Sequence, residues 1–205
     1  MISTPVSIVK VGGSLLDWPD LPDRLTAFLD ERRQANPAVL DVLICGGGPF
    51  VDTIRQLDHV HHLDDFAAHW LAIQAMNLAS TVLLCLLPGA AGVHQLDAIG
   101  PDWPRKEIPL LVPSVAMEEL EGRHPNPLPA SWDVTSDSIA AWIAGTIRAR
   151  SLVLLKSADL PPRPTREAAA QLGRVDPFFP LISSPIADVL YLNLRDPSAS
   201  PVLLR

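Results

Sequence analysis

The chain has 205 residues, enough for one domain (1–205) with a full hydrophobic core. Its net charge is −7 and no basic run or stripe occurs, which excludes a nucleic-acid binder, since that needs a concentrated positive surface. The longest apolar runs, such as TVLLCLLPGAAGV, are too short and broken to span a bilayer, and no charged-then-apolar leader opens the chain, so the reading is a cytoplasmic protein with no membrane partner.

Val6–Val11 is rich in β-branched residues and bounded by Pro5 and Gly12, which predicts a strand. Leu21–Gln34 carries Leu21, Leu25, Phe28 and Leu29 at helical spacing. Val39–Cys45 is a second buried strand that runs into Gly46–Gly48, and Phe50–Leu57 starts a helix. Asp64–Ala79 is predicted as a helix that is apolar nearly all round, and so packs in the core or against a second subunit. Thr81–Leu87 is predicted as a third strand and Ile108–Val112 as a fourth. Thr135–Arg150 is a helix with Thr135 as its N-cap and Arg148 and Arg150 in its last turn. Leu152–Leu155, Asp188–Leu194 and Val202–Leu204 complete the strands. Apolar strands alternating with helices predict an α/β fold, a parallel or mixed sheet covered on both faces.

Among the 21 prolines, those at 101–129 and 161–185 mark long ordered loops, with 121–130 the candidate for a mobile one. Cys45 and Cys85 each fall in a strand-like apolar run and are expected to be free, buried thiols.

Only three of the 16 basic residues are lysines, and two of these, Lys10 and Lys156, stand at strand ends. A lysine inside the first strand is costly to bury, and a bound phosphate is the partner expected to neutralise it. Two glycine turns, KVGGS (Lys10–Ser14) and ICGGGPF (Ile44–Phe50), close parallel strands at the edge where open α/β sheets bind ligands. Without Cβ atoms their N–H groups can approach a phosphate closely. Neither turn fits G-x-G-x-x-G or G-x-x-x-x-G-K-[ST]. Asp137 falls in the first turn of its helix, where it suits the dipole. Two lysines, one aspartate and two glycine turns make a candidate phosphoryl-transfer site, because that chemistry needs positioning and positive charge more than covalent help.

In chain order, KVGGSL, GGG, TSDSIAA and LVLLKSAD resemble the amino-acid kinase superfamily. The resemblance implies a three-layer αβα sandwich with a mainly parallel sheet, the carbamate kinase-like fold, and use of ATP with Mg²⁺. It implies that Lys10, Gly12, Gly13 and Ser14 hold the transferred phosphoryl group, and that Gly46, Gly47 and Gly48 face the acceptor. Asp137 would orient the lysines, and Lys156, Ser157 and Asp159 would lead into the nucleotide site, with Lys156 also catalytic. Two departures stand out. The usual DVDG is SADL here, so Ser157 and Leu160 replace an aspartate and a glycine, and no late lysine segment follows.

Within the superfamily, DDFAAHWLAIQAMN and WDVTSDSIAAWIA resemble the short kinases of methanofuran biosynthesis, which convert aminomethylfuran-methyl phosphate to its diphosphate. Asp65 and His69 are four apart and share a helix face, so Asp65 could hold an aminomethyl ammonium group and His69 could donate to a phosphate. His69 could equally be a hydrogen-bonded core histidine. The HVHH run (His59, His61, His62) lacks cysteines or a second ligand pair at zinc spacing, so no metal site is assigned. The expected partner is a small phosphate acceptor, in a homodimer or higher homo-oligomer. The alternatives are a non-catalytic nucleotide- or oxyanion-binding protein on the same fold, or a kinase for a carboxylate or another alkyl phosphate.

Overall fold

The computed structural model describes residues 4–121 and 127–205. Its strands are β1 (Val6–Val11), β2 (Leu40–Cys45), β3 (Ala90–Val93), β4 (Ile108–Leu111), β5 (Ser151–Lys156), β6 (Asp188–Asn193) and β7 (Val202–Leu203). They form one sheet in the order β3-β4-β2-β1-β5-β6-β7. Every pairing is parallel except that of β6 with the short edge strand β7. The helices are α1 (Leu21–Ala35), α2 (Pro49–His61), α3 (Asp65–Leu86), α4 (Pro113–Glu121), α5 (Ser136–Thr146), α6 (Arg166–Gln171) and α7 (Phe179–Ser183).

β1 is buried along its whole length, on both faces, which is why apolar residues fall at alternate and at adjacent positions along it, with Ser7 and Lys10 as its polar members. Val6 and Ile8 face one layer, built from α5, α4, α7 and the first half of α3. Val9 and Val11 face the other, built from α1 and the second half of α3. The result is a three-layer αβα sandwich. The chain leaves β1 toward β2 on one side and returns at β5 on the other, so the carboxyl ends of β1 and β5 flank a topological switch point. Lys10 and Lys156 stand at those ends.

Several elements differ from expectation. Thr81–Leu87 is not a strand: residues 81–86 are the last turns of α3, which runs 22 residues. Neither glycine nor proline interrupts the helix before Pro88 and Gly89, and an apolar run of seven cannot distinguish strand from helix by periodicity. The sheet gains β3 after that break instead. Asp64 caps α3, accepting a hydrogen bond from Ala67 N at 3.0 Å. Arg148 and Arg150 lie beyond α5. Arg148 N donates to Gly145 O at 3.1 Å and Ala149 N to Ala144 O at 2.8 Å, a Schellman closure with Arg148 in the left-handed conformation (φ 56°). Helices α4, α6 and α7 lie in proline-bearing stretches read as loops. Of the stretch 121–130 read as mobile, residues 122–126 lie outside the described residues.

By length and composition α3 could cross a membrane. Its inner face packs into the core through Ile73, Met76 and Leu83, while Phe66, Leu71, Leu78 and Leu86 are open on the outer face. Cys85 also lies outward on α3 and is exposed, contrary to the expected buried thiol, whereas Cys45 is fully buried in β2. Burial pushes the Cys45 thiol up to about 12, against the opposing pull of the Lys10 charge. An aromatic disulfide reagent should therefore titrate one thiol in the native protein and the second only after unfolding. Loss of the fast thiol in Cys85→Ser checks the assignment, and equal reactivity of both cysteines would contradict it.

Candidate active site

Lys10 ends the buried face of β1, opposite Ile44 on β2 and Leu154 on β5. It is 3% exposed. Its neighbour in charge is Asp137, in the first turn of α5: Lys10 Nζ lies 2.8 Å from Asp137 Oδ1, and Lys156 Nζ donates to Oδ2 at 2.7 Å. A bound phosphate is the partner expected for Lys10, and Asp137 is expected to orient the lysines; the protein itself supplies a counter-charge through that aspartate, which bridges both cations. The group retains one net positive charge, at the carboxyl edge of the sheet.

The electrostatics follow from burial and proximity. Burial by itself would raise the Asp137 carboxyl, but the charges and hydrogen bonds of Lys10 and Lys156 outweigh it and hold the pKa at about 2. Burial lowers Lys156 to about 8, with Asp137 opposing and Lys10 adding to the shift. Lys156 is therefore cationic at neutral pH and loses its charge just above it.

The two glycine turns interlock above these lysines. Gly12 N donates to Leu155 O at 2.8 Å and Gly46 N to Val11 O at 2.9 Å, tying the turns to the strand ends. A Cβ on Gly13 would fall 2.5 Å from Gly48 Cα, so any side chain there would force the loops apart. Gly48 has φ 53° and ψ −140°, a conformation open to glycine alone. A Cβ on Gly46 would lie 3.3 Å from Lys10 Cε. Ser14 Oγ and Ser157 Oγ share a hydrogen bond of 2.8 Å, and Arg195 donates to Ser14 O.

A cavity of about 480 Å³ opens over this floor. Of the residues singled out in the sequence, Lys10, Gly13, Ser14, Gly47, Gly48, His69, Asp137 and Lys156 line it. Gly12 and Gly46 back its wall rather than line it. Asp159 is exposed and does not line this cavity, accepting from Asn193 Nδ2 at 2.8 Å. Asp65 does not line the cavity either: the first turn of α3 leaves it exposed, although His69 four residues on is inside. The shared-face argument placed the pair correctly on the helix but could not say where the cavity edge falls. His69 is 7% exposed, burial lowers its pKa from the usual value, and its Nε2 has no hydrogen-bond partner among the described residues. It is a neutral imidazole facing the cavity. The HVHH histidines are exposed at the end of α2, and no group of three metal-ligating side chains forms among the described residues.

Among the cavity residues not singled out from the sequence are Asp52, Arg55 and Trp132. Asp52 and Arg55, one turn apart on α2, pair at 3.3 Å. The Arg55 guanidinium sits 5.0 Å over the ring of Trp132, whose Nε1 donates to Asp58 at 2.7 Å. The i,i+3 spacing of Asp52 and Arg55 was legible, but a surface ion pair of this kind is common and points nowhere without the fold.

Lys156 can be followed directly, because a chain with three lysines yields three side-chain Cε signals after ¹³C-lysine labelling. The signal absent in Lys156→Arg should titrate near pH 8 and move further down in Asp137→Asn, which removes the opposing carboxylate. A Lys156 midpoint at pH 10 or above would contradict the geometry.

No family model matches the chain. It is 27% identical over 153 residues to the [5-(aminomethyl)furan-3-yl]methyl phosphate kinase of Methanocaldococcus jannaschii, a match covering 74% of this chain and 66% of that relative. Among solved structures it resembles the uridylate kinase of Archaeoglobus fulgidus (TM-score 0.56, 14% identity, 97% of this chain and 90% of that one). It also resembles the aspartate kinase of Synechocystis (TM-score 0.67, 10% identity, 98% of this chain and 40% of that one). The UMP kinase of Ureaplasma parvum aligns with a TM-score of 0.57 at 14% identity, over 96% of this chain and 92% of that one. The chain has the amino-acid kinase fold.

Proposed function

We propose that the protein is an ATP-dependent kinase whose acceptor is itself a phosphate, and that this acceptor is aminomethylfuran-methyl phosphate, converted to its diphosphate. One observation carries the reading: two lysines from adjacent strand ends, bridged by a buried carboxylate, lie beneath two interlocked glycine turns. The arrangement suits a phosphoryl group in flight. An acceptor phosphate oxygen attacks the γ-phosphorus in line, the bond from that phosphorus to the β,γ-bridging oxygen breaks, and ADP leaves. Lys10 and Lys156 stabilise charge on the transferred group, and Asp137 holds them at fixed positions so that little reorganisation is needed. The attacking phosphate is already ionised, so no general base is required. The Mg²⁺ implied by ATP use would ride on the nucleotide phosphates and needs few protein ligands; Asp17 is the cavity carboxylate that would be left to face it.

The acceptor assignment draws on the 27% identical relative and on the wall of the cavity formed by α2 and Trp132. The acceptor's phosphate belongs near the lysines and the neutral His69, whose Nε2 has no hydrogen-bond partner among the described residues. Its other end, an ammonium group, then reaches the mouth. Asp52 replaces Asp65 as the carboxylate to receive it. The outer stripe of α3, with Leu71 at 41% and Leu78 at 50% exposure, supports a homodimer through that helix.

ADP formation with a panel of phosphate and carboxylate acceptors tests the reading. The furan phosphate should give the highest kcat/KM. Lys10→Ala should lower kcat by about 10²-fold or more with the fold intact. Asp52→Asn should raise the KM of an amine-bearing acceptor by about 10-fold and leave the KM for ATP nearly unchanged. A KM shift for ATP alone would move Asp52 out of the acceptor site. Because Lys156 is cationic below about pH 8, kcat/KM should fall as pH rises through that value; a profile flat to pH 9.5 contradicts the role of Lys156.

A further inference from the structure

Asp176 lies between α6 and α7, far from Asp137 in sequence, and is 6% exposed. A buried carboxylate of this kind must be heavily hydrogen-bonded, and Asp176 is. Its Oδ2 accepts from Thr135 N at 3.1 Å, Thr135 Oγ1 at 2.8 Å and Ser138 N at 3.0 Å. Its Oδ1 accepts from Ser138 Oγ at 2.5 Å and Phe179 N at 3.0 Å. Thr135 occupies the N-cap position of α5, yet its hydroxyl donates outward instead of capping. The cap comes from 41 residues away. The groups that Asp176 grips, Thr135 and Ser138, stand on either side of Asp137.

We propose that Asp176 is a positioning residue for phosphoryl transfer: it clamps the first turn of α5 so that the two oxygens of Asp137 meet Lys10 and Lys156 together. This rests on the kinase reading above. Two consequences follow. A small rotation of α5 would bring one Asp137 oxygen out of the 2.7–2.8 Å range of its lysine, so the clamp sets the spacing of the two cations. The segment between β5 and β6 also becomes mechanically linked to the catalytic floor, because Asp176 starts α7 through Phe179 N while it caps α5. The Asp176 charge further opposes the lowering of Lys156. The charged groups acting on Lys156 are Asp137 of α5, Lys10 of β1 and Asp176 of the α6–α7 loop.

The test uses the full chain and two readouts. Asp176→Asn keeps the shape but loses the charge and acceptor capacity toward Thr135 and Ser138. It should lower kcat by about 10-fold or more while the KM for ATP stays within about 2-fold. In ¹³C-lysine spectra the Lys156 midpoint should fall by about half a pH unit or more. Asp176→Glu restores the charge but not the geometry, so it should return the midpoint and leave kcat low. A purely structural role would reduce activity only in step with the unfolded fraction; that outcome overturns the proposal, as does an unchanged kcat. If Asp176→Asn does not fold, Ser138→Ala removes one bond and no charge: kcat should fall about 3-fold or more at unchanged KM, and a wild-type kcat overturns the proposal. If the wild-type protein phosphorylates no acceptor, the kinase reading fails, and the Lys156 midpoint alone decides whether Asp176 acts on the lysine pair.

Discussion

Two lysines share one buried carboxylate at the switch point of the sheet, and the rest of the site is arranged around that sharing. A lone lysine at the end of a central strand would lose its proton or unfold the strand. Asp137 makes Lys10 tolerable at 3% exposure, and Lys156 brings the count to two cations against one anion. The residual charge is what a phosphoryl group would meet. The burial that makes the pair costly also leaves few solvent dipoles to be reorganised, and this is the condition under which fixed charges stabilise a transition state most.

The fold supplies the geometry at low cost. Adjacent parallel strands β1 and β5, in register, bring Lys10 and Lys156 to the same edge, and the helix that precedes β5 delivers Asp137 between them. The glycine turns then pack so closely that side chains are excluded at Gly13 and Gly48. That closeness opens the backbone to a ligand and explains why glycines recur there. A separate wall of the cavity, on α2 and the Trp132 segment, carries an exposed ion pair and a pinned indole.

Much of this was legible in the sequence, for physical reasons. Strongly buried parallel strands are mostly apolar on both faces, so β1, β2 and β5 were visible, and the lysines near the ends of β1 and β5 stood out against that background. The first-turn position of Asp137 spoke only for the helix dipole, and its place between the lysines was implied by the resemblance of TSDSIAA to the amino-acid kinases. The failures were also physical. Residues 81–86 are helical because nothing broke the preceding helix, and a short apolar run carries no periodicity to say so. Asp65 and His69 share a face, but only the packed fold shows that the cavity begins at His69. Asp176 gave no sign of its hold on α5, since Ser138 and Thr135 lie 38 and 41 positions away.

Phosphorus NMR of the wild-type protein incubated with ATP, Mg²⁺ and [5-(aminomethyl)furan-3-yl]methyl phosphate tests the central claim most directly. The account predicts that the single monophosphate resonance gives way to a coupled pair from a new diphosphate, in step with the appearance of ADP. Release of ADP with inorganic phosphate alone, or a persistent monophosphate resonance beside unspent ATP, would contradict it.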